Sequence, residues 1–150
     1  MWMPKDEEAL KMSLNRLSPE DALNLERHIK ILETPFSEVC QLLGLESQEP
    51  KDVIEAENSV FMFDSEQGHL FSGAVVLDNV YGFFGIKIGA NWLETAENLE
   101  SQGFIQSQDS ERFTKPGENF GTSVYLYPDS DSGELKVQHY SVCVRYGCEP

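Results

Sequence analysis

The sequence predicts an α+β fold: N-terminal helices, then an antiparallel sheet with helices packed on one of its faces. Three observations predict it. Apolar residues recur at spacings of three and four through the first third of the chain, as on one face of a helix. From Asn58 the apolar period drops to two and the residues turn aromatic and β-branched, as in strands. Between Phe83 and Phe104 a strand-like run stops at Gly89, an Asn-capped amphipathic segment follows, and Gly103 ends it before a new strand. At 150 residues and 40% hydrophobic composition the chain suits a single domain, 1–150, with a sizeable core.

The elements follow in order. Residues 5–17 carry Leu10, Leu14 and Leu17 on one helical face. Ser18-Pro19-Glu20-Asp21 supplies an N-cap, a proline at the first helical position and first-turn acids. Leu23, Ile29 and Leu32 fall among the apolar positions of that second helix. Thr34-Pro35 repeats the signal and opens a third helix, through Val39, Leu42 and Leu43 to a stop at Gly44. Residues 45–57 are polar, include Pro50, and read as a connector.

Strands are expected at 59–63 and 70–77, joined by a turn at 64–68, and a third at 80–88. The fourth helix covers 91–102, with Glu94 three residues after Asn91 in a capping-box arrangement. Then come a strand at 104–108, a loose loop containing Pro116-Gly117, and long strands at 122–127 and 134–146. Sliding the sequence by 57 residues sets Thr34 on Asn91, Val39 on Ala96 and Leu42 on Leu99. That alignment suggests two fused helix-plus-sheet units, about 30–79 and 80–146.

Gly85-Ile86-Lys87-Ile88-Gly89, followed by a helix over 92–99, resembles the opening of small bacterial modules of the β-lactamase inhibitory protein and SmpA/OmlA type. Their common form is a strand ending in Ile-x-Ile-Gly, a short helix and an antiparallel sheet, used twice in the inhibitory proteins. The match covers roughly 80–146 and, more weakly, 30–77. The resemblance implies a non-enzymatic protein that binds another protein on its sheet surface. This chain departs from those modules in showing no signal segment, no lipid-attachment cysteine and no evident disulfide pair.

Charge narrows the partners. The formal charge is −15, from 26 acidic and 11 basic side chains. Phosphate backbones and anionic membranes need the opposite sign, so neither is an expected partner. The acids divide evenly, 13 in residues 1–57 and 13 in 58–150, so there is no acidic tail. Solubility and the steering of a basic protein partner both remain open. So does an acidic decoy for a nucleic-acid-binding protein, if folding gathers the carboxylates on one face.

No run approaches the roughly 18 apolar residues that span a bilayer. The N-terminus also lacks a basic segment followed by an apolar one, so a cytoplasmic location is expected. Three cysteines, Cys40, Cys143 and Cys148, without a C-x-x-C pair, fit a reducing compartment. Cys143 and Cys148 could pair if the chain turned at Gly147, but a continuing strand would hold them too far apart, so free thiols are expected.

Motifs for chemistry are missing. No Ser has the spacing of a nucleophile elbow. His139 and Cys143 share a strand face, but four strand residues span about 13 Å, too far to hydrogen-bond. Asp129-Ser130-Asp131-Ser132-Gly133 begins like a calcium loop, yet its glycine comes a position early and Tyr140 stands where Glu is needed. It reads as a hairpin turn. Gly82, Gly85 and Gly89 match no phosphate loop and suit bends or close backbone approach. No metal site and no cofactor is expected.

The remaining signal is aromatic. Alternation places Val124 and Leu126 on one face of their strand and Tyr125 and Tyr127 on the other. In the last strand Tyr140, Val142, Val144 and Tyr146 oppose His139, Ser141, Cys143 and Arg145. In the strand at 80–88, Val80, Phe84, Ile86 and Ile88 are core, with Tyr81 and Phe83 opposite, beside Lys87. Tyr81, Phe83, Tyr125, Tyr127, His139 and Arg145 are therefore the candidate binding residues, with the composition of a protein-docking surface. Tyrosines also suit exposed strands in general. Trp92 is expected to anchor packing. The leading expectation is a non-enzymatic protein-binding module of the inhibitor, immunity or adaptor kind, using an open sheet face and acidic field against another, basic protein. The alternative is an enzyme or small-ligand binder, with a pocket between helices and sheet that uses acids of the loop 109–118.

Overall fold

The structure, a computed structural model, describes residues 16–108, 111–116, 121–129 and 134–144. Helix α1 spans Pro19–Ala22, and a 3-10 turn follows at Leu25–Arg27. Helix α2 is Phe36–Leu42 and helix α3 is Trp92–Ser101. Strands β1 (Val53–Ala56), β2 (Ser59–Asp64) and β3 (Leu70–Val76) lie between α2 and α3. Strands β4 (Ile105–Gln106), β5 (Arg112–Lys115), β6 (Thr122–Asp129) and β7 (Lys136–Val144) follow α3. All seven strands join one antiparallel sheet in the order β1-β2-β3-β7-β6-β5-β4.

Register sorts the side chains into two faces. One cross-sheet row runs Phe113, Val124, Val142, Ala74, Phe61, Ile54, and every member is buried. Beside it lie Leu126, Tyr140 and Val76, also buried. These residues form one apolar cluster with Leu25, Phe36 and Val39 from the N-terminal third and with Trp92, Ala96 and Leu99 of α3. Burial of this area is the main force that brings the helical segments onto the sheet.

The helix signals in the sequence act locally. The Ser18 hydroxyl accepts from the Asp21 amide at 3.1 Å, and the Asn91 side chain accepts from the Glu94 amide at 2.9 Å. Thr34 does not cap α2. Its hydroxyl accepts from the Lys30 amide at 2.8 Å, and Pro35 takes the N-cap position. The second helix is shorter than expected. It stops at Ala22, and Leu32 adopts a positive φ of 56°, so the apolar spacing of Leu23, Ile29 and Leu32 reflects packing of turns and not one helix. The expected helix at 5–17 lies almost wholly outside the described residues.

Two strands arise where loop or connector was expected. Val53–Ala56 alternates exposed and buried positions, and Arg112–Lys115 brings Phe113 into the core. The strand expected at 80–88 does not form. Strand β3 pairs with the longer β7. The amide groups of 80–88 are satisfied elsewhere: Gly82 donates to the Ala22 carbonyl at 2.9 Å, Phe83 to the Tyr140 hydroxyl at 2.8 Å, Phe84 to the Glu26 carboxylate at 2.7 Å, and Ile88 to the Asn79 side chain at 2.9 Å. Gly82 is needed for this fit, because a Cβ there would stand 3.0 Å from the Leu23 carbonyl oxygen.

The two longer helices are held by matching backbone bonds. The Leu32 amide donates to the Phe71 carbonyl at 2.7 Å, and the Gly89 amide to the Val137 carbonyl at 2.8 Å. In return Phe71 donates to Thr34 and Val137 to Ala90, at 2.8 and 2.9 Å. The first helical amides, Phe36 and Trp92, donate to His69 and Leu135, at 3.0 and 2.9 Å. Each helix is thus pinned at its start to the beginning of the last strand of a three-strand meander, β1-β2-β3 or β5-β6-β7. Ile29-Lys30-Ile31-Leu32 and Ile86-Lys87-Ile88-Gly89 lead into the two pins, 57 residues apart.

Tyr140 locks the irregular segment at 80–88 to the sheet. It is fully buried, and burial pushes its hydroxyl well above the usual tyrosine range, an effect the Phe83 hydrogen bond opposes and the Glu26 charge reinforces. Replacing Tyr140 with Phe strands the Phe83 amide and is expected to cost about 1–3 kcal/mol in urea unfolding near neutral pH. The folded-state pKa is raised above the unfolded one. The associated stability is therefore full below the ordinary tyrosine pKa of about 10 and is lost as pH climbs towards the folded value. Above pH of about 10 the wild-type chain is thus expected to lose stability faster than Tyr140→Phe. Parallel losses would contradict this.

Candidate functional site

The face opposite the core is organised by the same register. One row reads Ile105, Thr114, Ser123, Cys143, Gly73, Met62, Val53 across all seven strands. A second reads Arg112, Tyr125, Ser141, Val75, Val60, Glu55, and Tyr127 pairs with His139 beside it. The middle of the first row is buried at Ser123 and Cys143. Gly73 admits no side chain there, since a Cβ would lie 2.7 Å from the Val142 carbonyl oxygen.

The face divides by chemistry. Over β1–β3 it is aliphatic, with Val53, Val60, Met62 and Val75 exposed or half-buried. Over β5–β7 it carries an aromatic ladder. The Tyr125 and Tyr127 rings stack at 6.4 Å and 17°, and Tyr127 stacks on His139 at 4.5 Å and 19°. The Arg112 guanidinium lies 6.0 Å from the Tyr125 ring centroid, within cation–π range. Tyr125, Tyr127 and His139 are all half-buried, so each edge is backed by the sheet and each outer surface meets solvent. Rigid, amphipathic rings with few rotatable bonds lose little entropy when a partner covers them. The ladder can stack on flat apolar or cationic groups and hydrogen-bond through two hydroxyls and an imidazole.

Sequence alternation therefore brings Tyr125, Tyr127 and His139 together as expected. It fails for Tyr81 and Phe83. Both are buried on the core side, at 6% and 1% exposure, because 80–88 is not a strand. Phe83 stacks on Phe71 at 6.2 Å and Tyr81 meets Phe61 edge-on at 5.6 Å. Val80, expected in the core, is instead 44% exposed. Arg145 lies outside the described residues. Arg112 was missed, since a four-residue strand offers only one polar–apolar alternation, Arg112-Phe113-Thr114-Lys115, as a signal.

The cysteines need one correction. Cys143 is disulfide-bonded, where free thiols were expected. This removes the cysteine argument for a reducing compartment, because disulfides persist in oxidising ones. Cys40 is a free thiol in the core, and burial raises its pKa, so it is poorly suited to act as a nucleophile. Among the described residues no group of three or more His, Cys, Asp or Glu side chains is placed to hold a metal ion. No described helix is long and apolar enough to cross a membrane.

The chain matches no protein-family model, no curated protein and no solved structure.

Proposed function

We propose that the chain is a non-enzymatic protein-binding module, of the inhibitor, immunity or adaptor kind, that docks another protein on the open sheet face. The observation that carries this reading is the ladder Arg112–Tyr125–Tyr127–His139, four consecutively contacting side chains on the sheet face opposite the core. Tyr and Arg are the residues that most often anchor protein interfaces. The aliphatic half of the same face supplies the apolar area that surrounds such anchors. The charge of −15 favours a basic partner and speeds its encounter.

The matching pins at Leu32–Phe36 and Gly89–Trp92 support a finer architecture: two fused helix-plus-sheet repeats meeting where β3 pairs with β7. A fused pair yields one continuous face about twice as wide as either unit. That breadth suits a protein partner better than a small molecule.

Affinity capture from the source cells tests the proposal, with wild-type chain and Tyr125→Ala/Tyr127→Ala side by side. A basic protein held by wild type and lost by the folded variant is the expected result. Equal retention by both overturns the reading.

A further inference from the structure

A second site lies away from the docking face. Beside the turn Leu25–Arg27 and the end of β5 a cavity of about 340 Å³ opens, at the lower end of the range of small-ligand pockets. Its charge is anomalous for this chain. Among the described residues, Arg27, Lys30 and Lys115 line it, whereas Glu26 is the single acid that does so. Glu26 is already committed. Its Oε1 accepts from the Phe84 amide at 2.7 Å, its Oε2 lies 3.9 Å from Arg27 Nε, and its side chain is only 19% exposed.

The cations are anchored without being consumed. Lys30 Nζ donates one hydrogen bond, to the Glu26 carbonyl at 2.7 Å, and an ammonium carries three donors. Lys115 Nζ stands 5.9 Å from the Phe104 ring, which holds it over carbon. The Arg27 side chain is 72% exposed and forms the rim. Below the cations the walls are carbon. Ile31 and Phe84 are half-buried and reachable, and behind them Phe71 and Phe83 stack nearly parallel, at 4°.

Cations at the mouth and hydrocarbon beneath are complementary to a carboxylate on an apolar body. An inorganic anion would leave the walls unused, and a cationic or zwitterionic amphiphile would meet like charge. We infer that this cavity binds a small carboxylate amphiphile, its anionic head between Lys30 and Lys115 and its apolar body against Ile31 and Phe84. Of the acids of the loop 109–118 expected to line a pocket, Glu111 does not line this cavity, and Asp109 and Glu118 lie outside the described residues. The inference does not depend on the docking face, which lies on the other side of the sheet.

Calorimetric titration of the full chain with decanoate and with decyltrimethylammonium, both below micelle formation, tests it. Saturable one-to-one binding of decanoate is expected, with the cationic analogue about tenfold weaker or worse, the scale of one charge-assisted hydrogen bond. Lys30→Gln/Lys115→Gln is expected to weaken decanoate by at least about tenfold while leaving the melting temperature unchanged. No saturable decanoate binding, equal binding of the two amphiphiles, or an unaffected double variant overturns the inference. Should that variant misfold, decanoate-induced NMR shifts in the wild type decide: changes centred on Ile31, Phe84 and Thr122 support the site, and changes centred elsewhere overturn it.

Discussion

Trp92→Ala is expected to lose about 3–5 kcal/mol of stability in urea unfolding, the cost of deleting a large buried aromatic. The side chain is 8% exposed, its ring lies 6.0 Å from Phe113 of β5, and Nε1–H donates to the Leu126 carbonyl of β6 at 2.8 Å in a buried setting. Its own amide donates to Leu135, at the entry to β7. Truncation therefore opens a cavity and also strands a buried carbonyl. Trp92→Phe separates the two effects. It keeps most of the apolar volume and is expected to cost about 1–3 kcal/mol, chiefly for the unsatisfied Leu126 oxygen. Since native stability is itself only about 5–15 kcal/mol, Trp92→Ala consumes a large share of it. A loss below about 1 kcal/mol would show that α3 is not held in this way.

Tyr125→Ala and Tyr127→Ala are each expected to weaken partner binding by about 2 kcal/mol or more, roughly 30-fold in Kd. Their expected effect on folding is much smaller. Cross-strand aromatic pairs contribute about 0.2–1 kcal/mol each, and both rings are half-exposed on the face opposite the core. The two readouts therefore diverge, which is the signature of a surface kept for recognition. His139→Ala follows the same pattern, because it removes the ring on which Tyr127 stacks at 4.5 Å. Added salt is expected to slow association, through screening of the −15 charge, while changing dissociation little.

How much of this was legible in the sequence depended on length of pattern. Thr122–Asp129 and Lys136–Val144 are long enough for period-two alternation to assign each face, so Tyr125, Tyr127 and His139 were placed correctly. Asn91 and Gly103 bracket α3 with cap and stop, and that helix was also read correctly. Short strands gave no such leverage. Arg112–Lys115 has four residues, and the role of Arg112 depends on Tyr125 across the ladder, a contact no local pattern encodes. The failure at 80–88 has a different origin. Val80, Phe84, Ile86 and Ile88 alternate like a strand, but whether an alternating run becomes one depends on a free neighbouring edge, and β7 already occupies the edge of β3. Phe84 and Gly85 accordingly take positive φ, and the buried faces of Tyr81 and Phe83 turn inward. The echo of Ile29-Lys30-Ile31-Leu32 in Ile86-Lys87-Ile88-Gly89 was in plain view and marks both helix entries; its meaning lies in the backbone bonds of Leu32 and Gly89, which only the fold displays.

The claim that another protein docks on the ladder is tested most directly by oxidative footprinting of side chains, on the chain alone and in complex with the captured partner. Tyr125, Tyr127 and His139 are expected to lose reactivity on binding, along with Met62 on the aliphatic half of the same face, while Leu93, exposed on α3, keeps its own. Unchanged oxidation at the two tyrosines, with protection appearing on α3 instead, would contradict the account.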